Sequence, residues 1–196
     1  MKSVETAASG FGNETWLRSY YFIRAAFSLA WVALAFILGK DMTGIAAAML
    51  ILYPAWDAVA NLADARRNGG LTSNPTQSLN VLVSGATTVA VALALGISMN
   101  AVLGVFGVWA TLSGCFQFAT GVQRWKRNGA QWAMILSGAQ SMIAGVLFLS
   151  GARMEAIPEI TDIAPYAAFG AFYFFVSAVW LTASNWRGQH ASSHGV

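Results

Sequence analysis

The chain has 196 residues, of which 57% are hydrophobic and only 10% charged, with a formal net charge of +3 and a mean hydropathy of +0.56. A water-soluble domain carries about 25% charged residues, so this one cannot clothe itself for water, and the lipid bilayer is its expected partner. The basic residues sit at the ends of apolar segments rather than in one patch, which points away from nucleic acid. The single cysteine, Cys115, excludes an intrachain disulfide.

Residues 1–15 mix Lys2 with Glu5 and Glu14 and read as an N-terminal tail. The apolar run after them is too long for a signal-peptide core. About 20 apolar residues are needed to cross a hydrocarbon layer, and six segments meet that demand: 17–39, 44–65, 76–97, 100–123, 131–151 and 163–185. The runs are long, rich in Ala and Leu and do not alternate, so helices are expected rather than barrel strands. The predicted fold is an all-α integral membrane domain over 16–187, followed by a polar tail at 188–196. His190 and His194 in that tail are too few to form a metal site.

Nine of the eleven basic residues fall on the side of the termini, leaving Lys40 and Arg153 opposite. The positive-inside bias predicts both termini in the cytoplasm. Trp16, Trp125, Trp132 and Trp186 fall near the same interface, as an aromatic belt would.

Two internal similarities stand out. LVSGATTV (Leu82–Val89) resembles ILSGAQSM (Ile135–Met142), and ARRNGG (Ala65–Gly70) resembles KRNGA (Lys126–Ala130). Together they predict a helical hairpin used three times, over about 17–67, 76–127 and 131–187.

The most informative stretch is YPAWDAVANLADARRNGG, Tyr53–Gly70. Asp57, Asn61 and Asp64 are spaced i, i+4, i+7 and share one helix face. A turn centred near residue 41 places Arg24 opposite Asp57, Tyr21 opposite Asn61 and Arg18 opposite Asp64. Asp57 lies nine residues before Arg66, roughly 13 Å deeper at 1.5 Å per residue. A lone carboxylate at that depth is costly in lipid, whereas one paired with a guanidinium can stay ionised. In the later hairpins the corresponding pairs are Asn80 with Gln117 and Ser137 with Ser177, all uncharged. The cluster reads either as a clasp that sets helix register or as a proton or ion relay, or the floor of a solute pathway, built on Asp57 and Arg24. No phosphate loop, nucleophile–histidine pair, metal spacing or cofactor pattern occurs, so an enzyme is not expected.

With these residues in view, the chain resembles the HdeD-like family of small bacterial membrane proteins. The likeness rests on the six-span layout, on the repeated SGA helices at Ser84–Ala86 and Ser137–Ala139, and on Tyr53–Gly70, and it covers about 16–187. It implies a multi-pass protein of the bacterial inner membrane built from a short repeat, a possible homo-oligomer, with a role in acid or other stress resistance for some members. It brings no catalytic residues to carry over. The alternative is a small proton, ion or solute channel or transporter.

Overall fold

The computed structural model describes the backbone of residues 2–125 and 131–193, and the side chains of 15–125, 131–184 and Trp186. Among these residues every element is helical. Helix α1 (Lys2–Leu34) continues into a π-helical turn (Ala35–Gly39); α2 (Thr43–Arg67), α3 (Pro75–Ala94), α4 (Met99–Arg124), α5 (Gln131–Gly151) and α6 (Ile160–Ser193) follow. Six stretches are long and apolar enough to span a bilayer: Thr15–Gly39, Thr43–Arg67, Pro75–Ala94, Met99–Arg124, Gln131–Gly151 and Ile160–Ser184. The residues expected to form tails continue α1 and α6 as helix from Lys2 and up to Ser193. The Lys126–Ala130 half of the internal similarity lies outside the described residues, as does the side chain of His190 and the whole of His194.

Local chemistry sets the helix ends. At the end of α2, Gly69 and Gly70 take φ of +94° and +88°, a region open to glycine at little cost. The Gly70 amide then returns to the Ala65 carbonyl at 2.8 Å, satisfying a carbonyl that the helix leaves free. Pro75 occupies the first turn of α3, where its missing N–H costs nothing. The third span stops at Ala94, three residues earlier than expected, because Leu95–Gly96–Ile97 turn and Ser98 Oγ caps α4 by accepting from the Ala101 amide at 3.1 Å.

The predicted hairpins do not coincide with the most closely packed pairs. Those pairs are α4 with α5, α1 with α6, and α2 with α3; α3 also lies on α4, while α5 and α6 touch more sparingly. The bodies of α1 and α2 are held apart, because large rings fill the gap between them. Phe27 stacks on Trp56 with centroids 4.4 Å apart, and Trp31 meets Tyr53 at 4.9 Å. The α4/α5 seam is the opposite case. A methyl group on Gly114 would stand 2.7 Å from the Gly138 carbonyl oxygen, and one on Gly138 would stand 2.7 Å from the Phe118 amide nitrogen. Only hydrogen lets these backbones approach so closely.

Two layers fill the bundle. The half away from the termini is an apolar plug that includes Trp31, Leu50, Tyr53, Val91, Val102, Phe106, Trp109 and Ile163. The half towards the termini buries Asp57, Asn61, Asp64, Gln77, Asn80 and Ser113. Leucine, isoleucine, valine and phenylalanine side chains cover the outside of all six helices, among them Ile23, Leu52, Leu82, Val108, Leu147 and Phe172. In water such a surface would drive aggregation; against lipid it is the favoured one.

Candidate functional site

Asp57 and Asp64 lie two turns apart on the face of α2 that packs against α3, and both are buried. Asp57 Oδ1 accepts from Arg24 Nη2 in an ion pair. Its Oδ2 accepts from Asn61 Nδ2 and from Ser84 Oγ, each at 2.9 Å. Ser84 Oγ in turn accepts from the Trp109 indole N–H at 2.9 Å. A chain of donors therefore runs from α4 through α3 to the carboxylate on α2. Arg24 also donates to the Tyr20 hydroxyl at 2.9 Å and lies 4.2 Å from the centroid of the Phe174 ring. That contact ties α6 into the cluster through a cation–π interaction.

Asp64 repeats the arrangement with other partners. Its Oδ1 accepts from Asn68 Nδ2 at 2.8 Å, and its Oδ2 from Gln77 Nε2. Arg124 Nη1 on α4 lies 3.5 Å from the same carboxylate, and Arg124 Nη2 donates to Gln77 Oε1 at 3.1 Å. Gln77 thus uses both ends of its amide between an acid and a base. Among the described residues these are the two ion pairs, and all four oxygens of the two carboxylates are engaged.

The structure brings together part of the constellation expected from sequence. Arg24 and Asp57 meet as the depth argument requires. Arg18 is half-buried and makes no ion pair with Asp64, whose arginine is Arg124. Asp64 instead finds its cross-helix partners on α3, through Gln77, and on α4, through Arg124. Tyr21 is buried and stacks on Phe174 at 6.1 Å rather than pairing with Asn61, which spends its amide on the Asp57 carbonyl and carboxylate. Asn80 and Gln117 line one cavity without a hydrogen bond between them, and Ser177 Oγ bonds to the Tyr173 carbonyl instead of Ser137.

Sequence reasoning passed over Gln77, Ser84, Trp109 and Arg124. One signal was available. Gln77 and Ser84 are seven residues apart, as are Asp57 and Asp64, so two such helices packed antiparallel bring both pairs into contact. The same spacing recurs at Gly107, Gly114 and Gly121 on α4, facing Gly138 and Gly145 on α5.

Beside the cluster lies a cavity of about 80 Å³. It extends from the level of Leu17 and Arg124 to that of Tyr166 and Trp109, where the apolar plug begins. Its charged lining consists of Arg24, Asp57, Asp64 and Arg124, the two ion pairs just described. Amides, hydroxyls and rings make up most of the remainder, among them Asn80, Ser113, Gln117, Gln140 and Phe174.

Residues 79–150, which span most of α3 and all of α4 and α5 up to Ser150, match the family model "Short repeat of unknown function (DUF308)". The chain matches no curated protein and no solved structure. The match covers the glycine-sealed α4/α5 pair together with Asn80, Ser84 and Trp109, while Asp57 and Arg24 lie before it. That match agrees with the membrane-spanning helices: this is a multi-pass membrane protein.

Proposed function

We propose that this chain is a non-enzymatic protein of a bacterial inner membrane, of the HdeD-like type, that supports tolerance of acid or envelope stress, with both termini in the cytoplasm. The observation that carries the non-enzymatic reading is the saturation of both buried carboxylates. Every oxygen of Asp57 and Asp64 accepts from a side chain of α1, α2, α3 or the α2 cap residue Asn68, with Arg124 of α4 beside Asp64, which leaves neither carboxylate unengaged and supports reading the cluster as a clasp. The family match over 79–150 supports the HdeD-like assignment. The surplus of arginine and lysine at the terminal side supports the orientation.

Survival of a deletion strain through an acid challenge tests the role. The deletion should lower survival, and the wild-type gene on a plasmid should restore it; unchanged survival refutes the proposal. Orientation is read by replacing Cys115 with Ala, placing single cysteines at Lys40 or Ser73, and labelling intact cells with an impermeant maleimide. Lys40→Cys should react and Ser73→Cys should not.

A second reading, passage of a small solute or proton, is favoured by one observation, the polar cavity that reaches the middle of the bundle. The plug beyond it would have to open. Proteoliposomes with no flux above empty vesicles remove this reading.

A further inference from the structure

We propose that the cavity beside the clasp is a binding site for a small uncharged solute carrying both a hydrogen-bond acceptor and a donor, of the simple amide class. Three observations lead there, and none depends on a role in stress tolerance.

Size comes first. At about 80 Å³ the space exceeds the roughly 10–15 Å³ that one water needs and falls below the ~150 Å³ that accepts a benzene ring. A molecule of about four heavy atoms fits these bounds.

Charge comes next. The two arginines and two aspartates in the lining are paired with one another, Arg24 with Asp57 and Arg124 with Asp64. An ion entering the cavity would lose its water without meeting an unspent counter-charge, at a cost the site cannot return. Neutral ligands escape that penalty.

The unspent hydrogen-bonding groups then set the chemistry. Asn80 and Ser113 are more than nine-tenths buried, at 8% and 7% exposure, and both line the cavity. Asn80 Oδ1 and Ser113 Oγ have no hydrogen-bond partner among the described residues, nor do Arg24 Nε and the Trp56 indole nitrogen, which belong to the same lining. Buried polar atoms of this kind are rare in folded proteins and call for an explanation. The set comprises two N–H donors, one carbonyl acceptor and one hydroxyl able to serve as either. A carbonyl oxygen on the solute answers Arg24 Nε–H and the Trp56 indole, and an N–H on the same molecule answers Asn80. One amide group carries both.

The test compares acetamide with acetate, which have the same size and shape and differ in charge, using ligand-detected saturation-transfer NMR on the full chain in lipid nanodiscs. Acetamide should give a saturable signal with a dissociation constant on the order of millimolar, as befits so small a ligand, and acetate should bind at least tenfold more weakly. Acetone, which lacks the donor, should also fall well below acetamide. Asn80→Leu and Ser113→Ala should each weaken acetamide binding tenfold or more. Should Asn80→Leu fail to fold, Ser113→Ala carries that arm, and the acetamide–acetate comparison on the unaltered protein needs neither variant. No saturable acetamide signal, meaning that the cavity takes water alone, overturns the proposal. So does acetate binding as well as acetamide, or acetamide binding that ignores a folded Ser113→Ala variant.

Discussion

Asp57 and Asp64 sit two turns apart on one face of α2, yet their arginines arrive from opposite sides, Arg24 from α1 and Arg124 from α4. The two carboxylates therefore hold three helices to α2 rather than one. Ser84 and Gln77 on α3 supply the third contact at each level.

Removing the charge from Asp57 should be costly because Arg24 stays behind. With Asp57→Asn the guanidinium loses its counter-charge while remaining buried, and breaking such a pair costs about 3–5 kcal/mol. Unfolding by SDS titration in mixed micelles should show a loss of that size. Adding Arg24→Met should recover part of it, since a thioether in that place needs no partner. Independent, additive losses would show that the two residues are not coupled.

Arg18 and Arg124 separate the pairing expected from sequence from the one observed. Arg18→Gln should change stability by no more than about 0.5 kcal/mol, as for substitutions away from a specific contact. Arg124→Gln removes charged bonds to Asp64 and Gln77 and should cost about 1.5–3 kcal/mol. The same titration checks both, and equal effects would contradict the observed geometry.

Ser84 has no exposed surface and bonds to two side chains at once, giving its hydrogen to Asp57 and receiving that of Trp109. Ser84→Ala leaves the indole N–H without its acceptor and should destabilise the bundle by about 1–3 kcal/mol. Its specific mark is spectroscopic: the hydrogen-bonded N–H signal of Trp109 should move in an NMR spectrum of indole-labelled protein, while that of Trp31, bonded to the Met49 carbonyl, stays in place.

The glycines of the α4/α5 seam are not equivalent. Gly138→Val would drive a side chain into the Phe118 backbone, and overpacking of this sort costs about 1–3 kcal/mol or more. Gly104→Ala should be tolerated or mildly stabilising, because its new methyl meets only Ala152 at 3.6 Å and alanine favours helix. Thermal unfolding of the two variants in detergent orders them; a Gly138→Val protein as stable as Gly104→Ala would show that the backbones are not in contact.

The sequence by itself determined the six spans and the shared face of Asp57, Asn61 and Asp64. Hydrocarbon thickness and helix periodicity act on residues a few positions apart, and both are legible without coordinates. It also brought Arg24 to Asp57, because α1 and α2 are joined by a short turn and depth can be counted along each helix. The choice of neighbour belonged to the tertiary structure. Depth counting sets the level of a residue and says nothing of its direction around the bundle, so it placed Arg18 with Asp64, where packing supplied Arg124. Which helices lie close follows from the volume of what stands between them: glycine draws α4 against α5, while Phe27, Trp31, Tyr53 and Trp56 hold α1 off α2. All six helices contribute to the lining of the cavity, which includes Asn80 from α3 and Ser113 from α4, an outcome of three-dimensional packing that residue spacing along a single chain does not encode.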